Sequence, residues 1–184
     1  MKIYVVRHGI TELNKKRILN AQIDEPLSPE GIEQAKVAVL LIPKSIIQIY
    51  VSPMLRAQQT AQIINSQLHR PLLIQNALTE IHMGSLAGHS WDQMEAGTEL
   101  KKKHRSMQFD YRQHGGESVG QVKKRVLNFL SQINGKHKDY EGLIVAHGGI
   151  IRLLYLLEND APLVDEIEHI SLNIFDLDKI LQKN

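Results

Sequence analysis

The sequence of 184 residues contains no cysteine. Disulfides, thiolate zinc sites and cysteine nucleophiles are therefore excluded, which fits a reducing compartment. An excess of charge of one sign is also missing, because 22 basic and 20 acidic residues give a formal net charge of +2. So small a charge gives no reason to expect a nucleic acid or a membrane surface as a partner.

Long apolar runs are absent as well. No stretch has the ~20 consecutive apolar residues that a membrane-spanning helix needs, and strand-like sequence begins at Lys2 with no apolar leader before Arg7. We therefore expect a cytoplasmic protein. Hydrophobic residues make up 42% and charged residues 23%, which is ordinary for a globular chain. The length predicts a single domain over residues 1–184.

Short apolar stretches alternate with helical patterns along the chain. The predicted strands are residues 3–6, 46–51, 71–74, 142–146 and 169–177, the last at an edge of the sheet. The predicted helices are residues 28–43, 52–68 and 117–133, one or two irregular helices within residues 91–107, and a helix that follows residue 148. This alternation predicts an α/β fold with a doubly wound, mostly parallel sheet.

The first strand delivers two reactive side chains at its end. Ile3 to Val6 form an apolar run that suits a strand buried on both faces, and Arg7 and His8 follow at once. Ligands bind at the carboxyl ends of the strands in open α/β sheets. Gly9 is expected to let the chain turn sharply there and to leave room for a ligand.

A second strand ends in the same way, with His147 and a glycine. Arg56 begins a helix after a third strand, and a loop carries Glu80. If the strands are parallel, these side chains meet at one edge of the sheet. Two guanidinium groups and one imidazole then form a phosphate site, because arginine matches phosphate oxygens. The other imidazole is a candidate nucleophile.

These residues lie in an order that resembles the histidine phosphatase superfamily, which has the phosphoglycerate mutase-like fold. The resemblance covers nearly the whole chain, and it implies a three-layer α/β/α architecture. It depends on RHG at residues 7–9, DEPLSPEG at 24–31, SPMLRAQQTA at 52–61, Glu80 with Gly84 and Gly88, GES at 116–118 and AHGG at 146–149.

The resemblance implies a mechanism with a phosphohistidine intermediate. His8 would attack phosphorus, and Glu80 would protonate the leaving oxygen and then deprotonate the water that hydrolyses the intermediate. Arg7, Arg56 and His147 would bind the phosphoryl oxygens and stabilise charge in the transition state, and Asn14 would add a hydrogen bond. The substrate would also contact Ala21 and Gly148. No metal or other cofactor is expected, because the arginines supply the positive charge. The expected partner is a small phosphorylated metabolite, and the oligomeric state is not predicted.

The segment over the site decides between two reactions within this family. Mutases of the family have a longer insertion after the glutamate loop, whereas here only a short cap at about residues 89–114 is available. A short cap should admit water, which favours hydrolysis. A phosphoglycerate mutase, which is an isomerase, remains the alternative, and a binding or signalling module that retains the phosphate pocket is a further alternative.

Two residues depart from the family pattern. Ile10 stands where glutamate or glutamine is frequent, and Ala21 stands where glycine is frequent. The methyl group of Ala21 is expected to restrict the approach of a substrate to the backbone. The basic run at residues 101–105 is interpreted as a solvated helix face or as an attractor of acidic substrates. Four histidines are expected on the surface: His69, His104, His137 and His169.

Overall fold

The computed structural model describes residues 1–134 and 141–184, so the expectation for His137 lies outside the described residues. Within these ranges five strands form one sheet in the order β3-β2-β4-β1-β5. They are β1 (Lys2–Arg7), β2 (Gln48–Val51), β3 (Leu72–Ile74), β4 (Gly142–Ala146) and β5 (Leu172–Asp176). The first four are parallel, and β5 pairs antiparallel with β1 at an edge. The predicted mostly parallel sheet with a last edge strand is confirmed.

The two central strands are built from the two longest buried apolar runs. Residues 3–6 of β1 and all of β4 are buried, as expected for strands that are covered on both faces. Their register pairs Arg7 with Ala146. The two histidines that follow these positions, His8 and His147, therefore leave the sheet side by side.

Helices cover both faces of the sheet in the described ranges. They are α1 (Glu12–Lys15), α2 (Pro29–Ala38), α3 (Leu55–Leu68), α4 (Gly97–Arg105), α5 (Val119–Asn134), α6 (Gly148–Asn159) and α7 (Leu177–Lys183). One apolar cluster joins α2 and α3 to one face, and another joins α5, α6 and α7 to the opposite face. This is the three-layer α/β/α arrangement.

Local capping explains two helices that the sequence patterns did not predict. Thr11 and Asn14 form a reciprocal capping box, which makes the first turn of α1 within a predicted loop. The side chain of Asp176 accepts hydrogen bonds from the backbone of α7, which ends the strand and starts a helix that buries Leu177 and Ile180. None of the helices in the described ranges is long and apolar enough to cross a membrane.

Candidate active site

A cavity of about 440 Å³ opens at the carboxyl ends of β1 and β4. Most of the predicted site residues line it: Arg7, His8, Asn14, Ala21, Arg56, Glu80 and Gly148. His147 is fully buried directly behind His8, with the two ring centroids 5.1 Å apart. The structure therefore brings together side chains that lie far apart in the sequence.

His8 is held in one orientation with one ring nitrogen available. Its Nδ1 lies 2.8 Å from the carbonyl oxygen of Gly9, which can only accept, so Nδ1 carries the hydrogen. The lone pair of the neutral ring is then on Nε2, which receives a hydrogen bond of 3.3 Å from Nε of Arg56. Burial, followed by the nearby His147 and Arg56, lowers the pKa of His8 well below its usual value. The imidazole is neutral at pH 7, as a nucleophile must be.

Arg56 is only 1% exposed although it carries a full charge. Its Nη1 donates to the carbonyl of Ile23 at 2.8 Å, and its Nη2 donates to the carbonyl of Ala21 at 2.9 Å. These bonds fix the plane of the guanidinium while Nε points at His8. Burial lowers the pKa of Arg56, and the carboxylate of Glu80 opposes that shift. The group is a rigid cation beside the candidate nucleophile.

Arg7 contributes a second cation, which is half-buried. Its Nη1 donates to the carbonyl of Ile167, while its Nε is buried and has no partner among the described residues. A buried donor without a partner costs free energy in the unliganded protein. An anion bound in the cavity would remove that cost by accepting from this nitrogen.

His147 presents a comparable free nitrogen. Its Nε2 lies 2.7 Å from the hydroxyl of Ser52, and its Nδ1 is buried without a partner among the described residues. The Ser52 oxygen accepts from the backbone of Met54, and its hydroxyl can donate to Nε2 when the hydrogen of the ring is on Nδ1. Burial and the positive charges of Arg56 and Arg7 lower the pKa of His147 well below its usual value. In the tautomer that accepts from Ser52 at Nε2, the neutral ring carries its own hydrogen on Nδ1 and can donate it to an anion.

Glu80 lies on a loop after β3, and its side chain is hydrogen-bonded to the first turn of α6. Its Oε1 accepts from the backbone of Ile81 at 2.8 Å, and its Oε2 accepts from the backbone of Gly149 at 3.4 Å. A β-carbon on Gly149 would lie 2.3 Å from Oε1 of Glu80. Glycine is therefore required at 149 for the carboxylate to occupy this position.

Gly9 has a different role from the one the sequence indicated. A β-carbon there would lie 2.5 Å from the backbone oxygen of Gly31, at the start of α2. Gly9 is not among the residues with positive φ. The expectation of a sharp turn was wrong, because no turn lies at Gly9 and the glycine instead allows close contact between two backbone segments. Room for a ligand at Gly9 stays a prediction.

Ala21, which stands where the family often has glycine, adopts a backbone conformation that favours glycine. Ala21 has φ +40°, in the left-handed region that favours glycine, and its carbonyl accepts from Arg56. The neighbouring Asn14 is fixed by bonds to Asn20 and to the backbone of Thr11. Both side chains line the cavity. Restriction of the substrate by the Ala21 methyl group stays a prediction.

Two histidines that were expected on the surface line the cavity instead, whereas His69 is exposed as expected. The Nδ1 of His169 donates to the carbonyl of His8 at 3.0 Å. The ring of His104 is stacked on Phe109, and its Nδ1 lies 3.0 Å from the hydroxyl of Tyr111. Burial lowers the pKa of each histidine to about 4. The surface expectation for both was wrong.

The position of His169 follows from the direction of β5. An antiparallel strand begins at the edge where parallel strands end, and Leu172 pairs with Val6. His169 precedes that start by three residues and so reaches the site. The sequence predicted an edge strand over residues 169–177 but did not specify its direction, so His169 was not expected in the site. Arg152, which also lines the cavity from α6, carried no signal in the sequence beyond its charge.

Comparison with known proteins places these features in a family. Residues 3–179 match the profile of the histidine phosphatase superfamily (branch 1). The chain is 32% identical over 184 residues to a metal-independent phosphoserine phosphatase of Arabidopsis thaliana, covering 96% of this chain and 76% of that protein. It is 33% identical over 159 residues to a putative phosphoserine phosphatase 2 of Hydrogenobacter thermophilus, covering 85% of this chain and 77% of the relative.

A solved structure agrees with the sequence relatives. The crystal structure of phosphoglycerate mutase from Thermus thermophilus superposes with a TM-score of 0.78 at 27% identity, covering 96% of this chain and 93% of the other. The sheet order, the buried histidine pair and the family match lead to the same result. The chain belongs to the histidine phosphatase superfamily, as the resemblance of its motifs implied.

Proposed function

We propose that the protein is a metal-independent phosphatase that hydrolyses a small phosphomonoester through a phosphohistidine on His8. The observation that carries this proposal is the neutral His8 ring, with its Nε2 lone pair beside a fixed guanidinium in an open cavity. Phosphoryl transfer needs positioning and stabilisation of charge more than covalent machinery. We further propose that the enzyme acts in the cytoplasm on a phosphorylated metabolite.

In the first step Nε2 of His8 attacks phosphorus and the bond to the leaving oxygen breaks. The leaving oxygen takes a proton from the carboxyl group of Glu80. The oxygens of the transferred phosphoryl group accept from three nitrogens. Nε of Arg7 and Nδ1 of His147 have no other partner among the described residues, and Nε of Arg56, which donates to His8 in the free protein, would turn to the phosphoryl group. These donors stabilise the charge on the transferring group.

In the second step water attacks the phosphohistidine. The carboxylate of Glu80 takes a proton from that water, the bond between phosphorus and Nε2 of His8 breaks, and inorganic phosphate leaves. Glu80 thus returns to its protonated form and His8 to its neutral form. The same two residues therefore complete a cycle with no added reactant except water.

The relatives and the short cap support hydrolysis over isomerisation. Two of the relatives carry phosphatase names, and the segment at about residues 89–114 is the chain length between the glutamate loop and α5 that is available to cover the site. The name of the Thermus thermophilus structure favours a second candidate, a phosphoglycerate mutase. In that case the acceptor would be a second hydroxyl group of the substrate rather than water.

The experiment is a hydrolysis assay with p-nitrophenyl phosphate and a panel of metabolite phosphates in the presence of a chelator. Turnover by the wild type, with its loss in His8→Ala, is expected. His89→Ala is the matched control, because His89 is exposed and does not line the cavity. Equal activity of His8→Ala and wild type would overturn the proposal. Interconversion of 2- and 3-phosphoglycerate faster than phosphate release would favour the mutase.

A further inference from the structure

The carboxyl group of Glu80 stands on a loop without regular secondary structure. This segment, residues 79–83, is called the Glu80 loop and lies between two short 3-10 helices, Asn76–Leu78 and Gly84–Leu86. Among the described residues no backbone N–H donates to the carbonyl of Glu80. That carbonyl accepts only from side chains, from Gln22 at 2.8 Å and more weakly from Arg125 at 3.5 Å. The place of Glu80 therefore depends on side chains outside its own loop.

Arg125 of α5 contacts this part of the chain at two points. Its Nη1 donates to the carbonyl of Ala77 at 2.6 Å, just before the Glu80 loop, and its Nη2 reaches the carbonyl of Glu80. Its Nε and Nη2 also donate to the two carboxylate oxygens of Glu117, at 2.9 Å and 3.0 Å. A planar guanidinium presents all these donors in one fixed arrangement. One side chain thus joins Glu117 to two carbonyls of residues 77–80.

Glu117, from the GES motif at residues 116–118, contacts the other end of the Glu80 loop. Its Oε2 accepts from the backbone of His82 at 2.9 Å, and its own backbone N–H donates to the carbonyl of His82 at 2.8 Å. A β-carbon on Gly116 would lie 2.3 Å from that same carbonyl oxygen, so the close approach requires glycine. None of the three residues of the motif lines the cavity. The motif therefore contacts the loop of the acid–base residue and not the substrate.

The ion pair between Glu117 and Arg125 is shielded from water. The two side chains are 22% and 21% exposed, whereas those of the pair between Asp110 and Arg112 are 47% and 67% exposed. A paired, fork-to-fork contact between arginine and a carboxylate fixes the relative orientation of the two groups. Their remaining donors and acceptors are bonded to backbone groups of residues 77–82. The pair is therefore a rigid support and not a mobile surface contact.

We propose that Glu117 and Arg125 are positioning residues that hold Glu80 where it can exchange protons with the leaving oxygen and with water. Apart from the bonds that join them to each other, every side-chain hydrogen bond that they form among the described residues goes to residues 77–82. Neither side chain lines the cavity, so they act through Glu80. The inference rests on the proposed function, because it explains how the acid–base residue of that reaction is held in place.

The test uses two substrates that differ in their need for a general acid. The p-nitrophenolate ion leaves without a proton, whereas the alcohol of benzyl phosphate must be protonated as it leaves. Since kcat/KM covers the steps up to departure of the leaving group, the later attack of water does not affect it. The ratio of the two kcat/KM values therefore measures how well Glu80 is placed, and it does not depend on the fraction of folded enzyme.

We expect Arg125→Lys and Glu117→Gln to lower kcat/KM for benzyl phosphate by about tenfold, because a displaced carboxyl group transfers its proton poorly. For p-nitrophenyl phosphate the decrease should be less than about twofold. Arg125→Lys keeps the positive charge but not the planar set of donors, so a loss in this variant comes from geometry. Lys124→Gln and Glu95→Gln, at exposed positions, are the matched controls and should keep the wild-type ratio.

A double variant shows whether the effect passes through Glu80. Glu80→Gln alone is expected to lower kcat/KM for benzyl phosphate by about a hundredfold, the value of a general acid. In that background Arg125→Lys should cause a further loss of less than about twofold, since a residue that acts only through the carboxyl group has no effect once that group is replaced.

The outcomes separate this inference from the proposed function. A wild-type ratio in Arg125→Lys and Glu117→Gln, whether both rates fall or neither does, would overturn the positioning role. A further tenfold loss from Arg125→Lys in the Glu80→Gln background would also overturn it, because the effect would then not pass through Glu80. Either result leaves the phosphatase proposal intact as long as turnover depends on His8. A wild-type ratio in Glu80→Gln, or absence of turnover with every substrate, would contradict the proposed function itself.

Discussion

The hydroxyl of Ser52 lies 2.7 Å from Nε2 of His147, and both side chains are fully buried. Ser52 follows β2 directly, whereas His147 follows β4, the neighbouring strand. The contact links the tautomer of a buried histidine to a serine that has no other function in the proposed reaction. We therefore expect Ser52 to act as a positioning residue in the proposed reaction, through the Nδ1 hydrogen of His147.

Replacement of Ser52 tests this relationship. In Ser52→Ala, Nε2 of His147 loses the hydroxyl group beside it. The hydrogen of the ring can then move from Nδ1 to Nε2. The phosphoryl site would lose the N–H donor at Nδ1. We expect kcat to fall about five- to tenfold, the value of one neutral hydrogen bond, with the fold retained. Steady-state kinetics with p-nitrophenyl phosphate measures this. Ser66→Ala, at an exposed position of α3, is the control. Unchanged kcat in Ser52→Ala would contradict the assigned role.

Arg56 gives a second prediction, because each of its three types of nitrogen donates to a different acceptor. Lysine preserves the charge but cannot reproduce this planar set of donors. We expect Arg56→Lys to lower kcat/KM by about a hundredfold, as for the loss of a fixed donor to a transition-state oxygen. Arg70→Lys, on the exposed loop before β3, should behave as wild type. Near-normal activity of Arg56→Lys would show that charge alone suffices.

Gly149 predicts a change in activity without a large change in stability. A methyl group there would meet the flexible end of Glu80 and the side chain of Ile81, which can shift. We expect Gly149→Ala to displace the carboxylate and lower kcat by about tenfold or more, since a general acid must lie within hydrogen-bonding distance of the leaving oxygen. Gly120→Ala, in α5 with open space around it, is the control and should be neutral or slightly stabilising. Wild-type kcat in Gly149→Ala would contradict the placement of Glu80.

Two histidines of the cavity wall predict that stability falls in acid. The pKa of His104 and that of His169 are about 4 in the folded protein, below the usual value of 6.5. The unfolded chain then binds more protons than the folded chain between about pH 6.5 and pH 4, so the free energy of unfolding rises with pH in that window. The midpoint of thermal unfolding should fall as the pH is lowered from 7 to 4. The variant His169→Gln should have a shallower dependence, and an identical slope would exclude His169 as a contributor.

The lower pKa of His8 has a separate kinetic consequence. The nucleophile must be neutral, and protonation of His8 requires a pH well below 6.5. We therefore expect kcat/KM for p-nitrophenyl phosphate to show no loss from protonation of this ring between pH 7.5 and 6, over a range in which the enzyme is still folded. A decrease with an apparent pKa near 6.5, absent from the pH profile of binding, would contradict this assignment.

The core of the site could be predicted because its residues follow apolar runs. Arg7 is the last residue of β1, and His147 directly follows β4. The end of each apolar run in the sequence indicates where the strand ends. A parallel sheet brings such ends together whatever their separation in sequence. This is why strand ends alone indicated Arg7, His8 and His147, whereas the roles of the site residues and the place of Glu80 were inferred with the help of the family resemblance.

Sequence patterns did not predict the features that depend on strand direction, on a helix cap or on long-range polar contacts. His169 lies in the site because β5 runs antiparallel, and its short, half-exposed pattern does not specify direction. The last helix depends on one side-chain cap at Asp176. Arg152 is buried through loop carbonyls that lie 11 and 13 residues further along the chain, contacts that no periodicity encodes. Long-range polar contacts of this kind are visible only in three dimensions.

The most direct test of the account is chemical trapping of the intermediate. Mixing the enzyme with a radiolabelled phosphomonoester and quenching within milliseconds should yield protein-bound phosphate that is stable in alkali and labile in acid. Mass spectrometry of the digested protein should locate it on His8. With labelled p-nitrophenyl phosphate, whose leaving group needs no general acid, Glu80→Gln should increase the amount of label by slowing attack of water. Turnover in the absence of any labelled protein, or a label on another residue, would contradict the central claim.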